Sequence, residues 1–181
     1  MSLPFRISPV NQQEVLRRCA MQNPSEEELA LYEEVRRDGE YLLDYKITER
    51  NRPLAVLGEN PIKDHFQGCD SVIIFTARLG EAFRKLVEEN DEPEKSILLR
   101  GLAAERLDAL TESYLDHKEK MLRGAGAVLT PHYPYIWEGV AENAACTTRI
   151  VGVSFHPEET VVSRCRTCFA ENCPARRELP S

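Results

Sequence analysis

Three of the six cysteines in this chain fall in one array, Cys165-x2-Cys168-x4-Cys173, closed by Pro174. Thiolates are soft ligands, and a C-x2-C turn carries two sulfurs to the same side of the backbone. A third thiol so near in sequence can join them on one metal. Structural zinc and iron–sulfur clusters take four ligands, so the array needs one more: Cys146, Cys69, Cys19, His156 or a group from outside the chain. The Cys-Pro ending is shared with iron–sulfur motifs, and both metals stay open. Arg164, Arg166, Arg176 and Arg177 lie close by, and their charge favours thiolate over thiol. The competing reading is a tail with free thiols or one disulfide.

A second constellation is the stretch Thr130-Pro131-His132-Tyr133-Pro134-Tyr135-Ile136-Trp137-Glu138. Its density of rings suits a pocket for a flat or cationic ligand, with Pro131, His132, Tyr133 and Tyr135 as the ligand-binding candidates. The competing reading is a proline-aromatic turn that caps a sheet. The four histidines, His65, His117, His132 and His156, form no metal-binding or metalloprotease spacing. There is no nucleophile elbow, no phosphate-binding glycine loop and no dinucleotide fingerprint. No residue is singled out as catalytic.

The remaining 160 or so residues must position these groups. A chain of 181 residues with 42% hydrophobic and 29% charged residues is long enough to bury its own core. The net charge of −7 argues against sequence-independent nucleic-acid binding, which needs a basic face. No apolar run approaches the ~20 residues that cross a bilayer. The opening Met1-Ser2-Leu3-Pro4-Phe5-Arg6 has no signal-peptide core. The expected location is therefore the cytoplasm.

Helices are expected over 11–19 and from Ser25 to about 44. In the second, Ser25 is the N-cap and Glu26, Glu27 and Glu28 fill the first turn. Its apolar stripe is Leu29, Tyr32, Val35 and Tyr41-Leu42, with Gly39 either weakening it or marking close packing. Residues 45–57 read as two strand pieces or one bent strand broken at Asn51-Arg52-Pro53. A short helix over 62–66 and a buried strand over 69–76 come next, the latter centred on Val72-Ile73-Ile74-Phe75. Helices follow over 79–89 and 94–122, the long one with Leu107, Leu110, Tyr114 and Met121 on one face and Gly124 as its C′ residue. The aromatic stretch reads as a loop. A short helix over 137–145 and strands over 149–155 and 160–163 close the pattern. Strands separated by helix pairs, without βαβ spacing, predict an α+β fold with a mostly antiparallel sheet. The expected organisation is one domain over 1–163 and a cysteine-rich tail over 164–181.

Several stretches together resemble a known family. They are Gln13-Glu14-Val15-Leu16-Arg17, Leu57-Gly58 to Ile62, Gly68-Cys69-Asp70 with the strand after it, and Thr76-Ala77-Arg78-Leu79-Gly80. Ala104-Glu105-Arg106-Leu107-Asp108-Ala109-Leu110, Ile150-Val151-Gly152-Val153 and the cysteine array complete the set. Over almost its whole length the chain resembles the activation domain of cobalamin-dependent methionine synthase, in the stand-alone form found beside corrinoid methyltransfer systems. The resemblance implies a twisted antiparallel sheet flanked by helices, and binding of S-adenosylmethionine. It also implies docking on a partner's cobalamin module, where the methyl group is presented while an electron donor protein reduces oxidised cobalt. The family's ligand stretch reads Arg-x-x-Pro-Gly-Tyr. Here Pro131 and Tyr133 match it, Val128 stands in place of the Arg and His132 in place of the Gly. The Arg would grip a carboxylate with a bidentate fork. The expected function is thus reactivation of a cobalamin- or corrinoid-dependent methyltransferase, with no nucleic-acid or membrane partner. The alternative is an iron–sulfur or zinc redox or adaptor protein on the same fold that no longer binds S-adenosylmethionine.

Overall fold

A computed structural model describes residues 3–136 and 143–155. The elements are α1 (Gln12–Arg18), α2 (Glu26–Leu42), β1 (Lys46–Pro53), β2 (Ser71–Arg78), α3 (Glu81–Glu88), α4 (Pro93–Arg123), β3 (Val128–Pro134) and β4 (Cys146–Ser154). Two 3-10 segments, Leu54–Leu57 and Pro61–Phe66, lie between β1 and β2. The fold is α+β: a four-stranded antiparallel sheet in the order β1-β2-β4-β3, flanked by helices. Among the described residues no helix is long and apolar enough to cross a membrane.

The helix starts follow from local chemistry. Asn11 caps α1 by accepting from the Glu14 N–H at 3.2 Å. Ser25 and Glu28 cap α2 reciprocally, each side chain satisfying the other's backbone N–H. Pro93 opens α4, a position where its missing N–H costs nothing. That helix ends at Arg123, close to the expected end, but its left-handed C′ residue is Gly126 rather than Gly124. It unwinds over three residues to Gly126, whose φ of 77° lets Ala127 N–H reach back to Leu122 O at 2.9 Å.

The chain divides into two compact units, each discontinuous in sequence. The first comprises 3–47, 77–113 and 143–147. Its core gathers Val15, Leu16, Tyr32, Val35, Phe83, Leu98, Leu102 and Leu110 from α1, α2, α3 and the first part of α4. Gly39 marks close packing, since a Cβ there would lie 2.7 Å from a Leu102 methyl. Tyr41 does not continue the α2 stripe and is 88% exposed. It lies two residues past Gly39, about 200° around the helix.

One polar lock sits in this apolar core. Glu105 and Arg106 are only 5% and 2% exposed. Arg106 Nε donates to Glu105 Oε2 at 2.5 Å, Nη1 to Ser8 O at 2.7 Å and Nη2 to Pro9 O at 3.0 Å. Glu105 Oε1 accepts from the Asn11 N–H at 3.1 Å. Burial lowers the Arg106 pKa, but the hydrogen bond and charge of Glu105 outweigh it, so the guanidinium is held above its ordinary range. Two adjacent side chains of α4 thus fasten the segment that leads into α1.

The second unit comprises 48–76, 114–136 and 148–155. β2 is buried along its length, which is why it reads as an unbroken apolar run. Alternation sends Val72 and Ile74 to one face, where they pack with Leu57, Phe66 and Ile150. Phe75 points the other way and meets Tyr114 of α4, ring centroids 4.6 Å apart. Met121 is not on that stripe and is 59% exposed. Seven-residue steps drift by ~20° each on a straight helix, so two of them from Leu107 rotate Met121 outward. The proposed break at 51–53 is absent as well. β1 runs unbroken to Pro53, because it is an edge strand and Pro ends it where no ladder bond is needed.

Two further corrections concern the chain after α4. The stretch expected as a loop is β3, paired antiparallel with β4. β4 begins at Cys146 rather than 149, and Asn143 to Cys146 form a tight turn before it instead of helix. The expected helix residues 137–142, the strand over 160–163 and the cysteine tail lie outside the described residues.

Candidate functional site

The candidate site is built on β3, and its form follows from one extra residue. Leu129 pairs with Val153, and His132 pairs with Val151, so Thr130 and Pro131 together oppose Gly152 alone. This is a β-bulge, where an unpaired residue is expected and a proline without N–H is tolerated. Thr130 supplies what the ladder loses: its Oγ1 accepts from the Gly152 N–H at 2.9 Å. Gly152 is needed for close approach. A Cβ there would lie 2.6 Å from Cys69 Sγ, 2.9 Å from a Phe66 ring carbon and 3.0 Å from Thr130 Cγ2.

Beyond the bulge the pairing is regular, Tyr133 with Ile150 and Pro134 with Arg149. Tyr135 N–H extends it by donating to Thr148 O at 3.1 Å. Tyr133 and Tyr135 therefore share the Ile150 face and pack on the Leu57–Phe66–Val72–Ile74 cluster. His65, from the Pro61–Phe66 segment, stacks on Tyr133 with centroids 4.4 Å apart and planes 24° from parallel. Phe66 meets the same ring edge-on at 5.7 Å and 84°. His132 alternates to the opposite face, where its Nδ1 is buried. Of the four aromatic-stretch candidates, the structure thus brings Tyr133 and Tyr135 together, puts Pro131 in the bulge and sends His132 away from them.

This surface can bind and orient. Ring faces attract flat and cationic groups. A carboxylate fork is another matter. Val128 supplies no guanidinium, and Arg149, register partner of Pro134, belongs to the face opposite Tyr133. Among the described residues Cys69 lies beside Gly152, and burial, then the charge of Asp70, push its thiol up to about 11, which favours the protonated form.

The remaining metal expectations divide by location. Cys165, Cys168, Cys173 and His156 lie outside the described residues. Among the described residues no three His, Cys, Asp or Glu side chains form a group fit for a metal ion. Burial raises the Cys19 pKa as well, and its Sγ donates to Ile97 O at 3.4 Å, so Cys19 and Cys69 both favour the protonated thiol over the metal-ligating thiolate.

Sequence reasoning passed over His65, Gly152 as a packing position, and a polar cluster around Glu49. Tyr114 OH donates to Glu49 Oε2, and Lys118 Nζ donates to Glu49 Oε1 at 2.6 Å. Burial, then the hydrogen bond to and charge of Glu49, raise the Tyr114 pKa far above its ordinary range, so its hydroxyl stays protonated. The i, i+4 spacing of Tyr114 and Lys118 was a readable signal; their shared partner on β1 was not.

Compared with protein-family models and with curated proteins, the chain finds no match.

Proposed function

We propose that the chain is a reactivation-type accessory protein for a cobalamin- or corrinoid-dependent methyltransferase, the role implied by its resemblance to the activation domain of methionine synthase. In this reading Tyr133 and Tyr135 bind S-adenosylmethionine and hold its sulfonium methyl toward the cobalt of a partner's corrinoid, while an electron donor protein supplies the reducing equivalent. The chain's own contribution is positioning, which lowers the barrier by fixing geometry without acid–base chemistry. The observation that supports this best is the Tyr133–Tyr135 face, built on β3 of an antiparallel sheet flanked by helices, the class of fold the resemblance implies. The buried cluster of Leu57, Phe66, Val72, Ile74 and Ile150 packs beneath those rings and supports them as a positioning surface requires.

One observation favours a second reading. Val128 stands where the resemblance expects an Arg, and Arg149 belongs to the face opposite Tyr133, so neither offers a guanidinium to the ligand carboxylate. An adaptor that keeps a partner-docking surface, with Cys165, Cys168 and Cys173 holding zinc or an iron–sulfur cluster, accommodates that loss. Calorimetric titration of S-adenosylmethionine into protein purified without oxygen separates the two. Saturable binding abolished by Tyr133→Ala is expected for the reactivation role. No binding, with stoichiometric zinc or iron in the same sample, would replace it with the metal-bearing adaptor.

A further inference from the structure

Tyr133 is read above as a ligand-binding residue, yet its accessible face is already covered. Phe66 is fully buried and meets the ring edge-on from the core. His65, the residue before it, is exposed and lies nearly parallel over the ring at 4.4 Å. A flat ligand can use the face under His65 only if the imidazole leaves. We propose that the outer face of Tyr133 is a seat for a flat nitrogen heteroaromatic ring, occupied in the free protein by the His65 imidazole, which swings aside when a ligand ring takes its place. This rests on the reading of Tyr133 as part of the ligand site, and adds the residue that controls entry.

Two observations carry it. The imidazole is itself a planar nitrogen heterocycle in offset-parallel geometry, so the seat already accepts that class of ring. The backbone beneath His65 is fixed, because Phe66 and Leu57 are buried in the cluster that also holds Tyr133. Motion is thus confined to side-chain torsions of an exposed residue, which are fast and cheap. A ring larger than imidazole, such as a purine, covers more of the Tyr133 face and gains the contact that His65 gives up.

The test uses the full chain and two probes, S-adenosylmethionine and adenosine, titrated calorimetrically into wild type, His65→Ala and His65→Phe. Imidazole proton resonances of His65 are followed in wild type. The expected result is binding about three- to tenfold tighter in His65→Ala, the gain from an exposed stack no longer displaced. Weaker binding is expected in His65→Phe, with wild-type His65 signals losing their ring-current shift as ligand is added. Binding to His65→Ala alone supports the seat equally. Wild-type binding that is unchanged or weakened in His65→Ala overturns the displacement and leaves the ligand site standing. Failure of every variant to bind either probe overturns both.

Discussion

The two compact units secure their chain by opposite means. In one, Arg106 and Glu105 fix the segment before α1 through short, directional bonds inside an apolar core. In the other, His65 and Tyr133 meet by stacking at the surface. A buried charged pair holds only one arrangement, since any departure strands a charge in low dielectric. A stacked exposed pair is weakly held, and any ring of similar shape can replace one partner. The first arrangement suits a segment that must stay in place, and the second a site that must exchange.

The contrast can be broken most forcefully at the lock. Arg106→Met leaves Glu105 buried without its partner and should cost about 3–5 kcal/mol in urea unfolding. Changing Glu105→Gln as well should recover part of that loss, while probe binding in the other unit stays as in wild type.

Next in size is the bulge. Gly152→Ala forces a methyl against Cys69, Phe66 and Thr130 and should cost about 1–3 kcal/mol, by the same measurement. Cys69→Ala removes the closest of these contacts. The double variant should therefore be more stable than the sum of the two single changes, and strict additivity would contradict the packing.

The alkaline limb sharpens the comparison further. Burial pushes Cys69 from 9.0 up to about 11, Tyr32 from 10.0 up to about 12, and Tyr114 further still. Each keeps its proton in the folded state at a pH where the unfolded chain releases it. The contribution of these three groups to stability is therefore level below about pH 9 and falls as pH rises, by at most ~1.4 kcal/mol per pH unit for each group. Tyr114→Phe should make the fall between about pH 10 and about pH 11 shallower. An unchanged slope would mean that Tyr114 ionises normally.

The smallest effect is expected at the stack. His65→Ala should change unfolding stability by less than about 1 kcal/mol, though it alters probe affinity as described above. A larger loss would make the stack structural.

Much of this was legible before any coordinates. Ser25 as a cap, the buried run through Val72 to Phe75, and an antiparallel α+β arrangement all come from local preference and side-chain periodicity. What escaped is non-local. The aromatic stretch reads as a loop because two prolines suggest one, yet Pro131 falls in a bulge and Pro134 at a strand end, positions where the missing N–H is harmless. His65 carries no motif, and its stack arises only when the 3-10 segment before β2 is folded against Tyr133. Met121 fits a seven-residue pattern that a straight helix does not keep.

The bulge on β3 also has a consequence for chain length. Without it, Leu129 and Tyr133, four residues apart, would share a face. With it, Leu129 pairs with Val153 and Tyr133 with Ile150, three positions apart on β4, and they fall on opposite faces. The extra residue acts as a change of reading phase within one strand. Deleting either Thr130 or Pro131 would put the two halves of β3 back in step and force one of them to present the wrong side. In a library of variants, this stretch should accept many exchanges of residue type and almost no change of length.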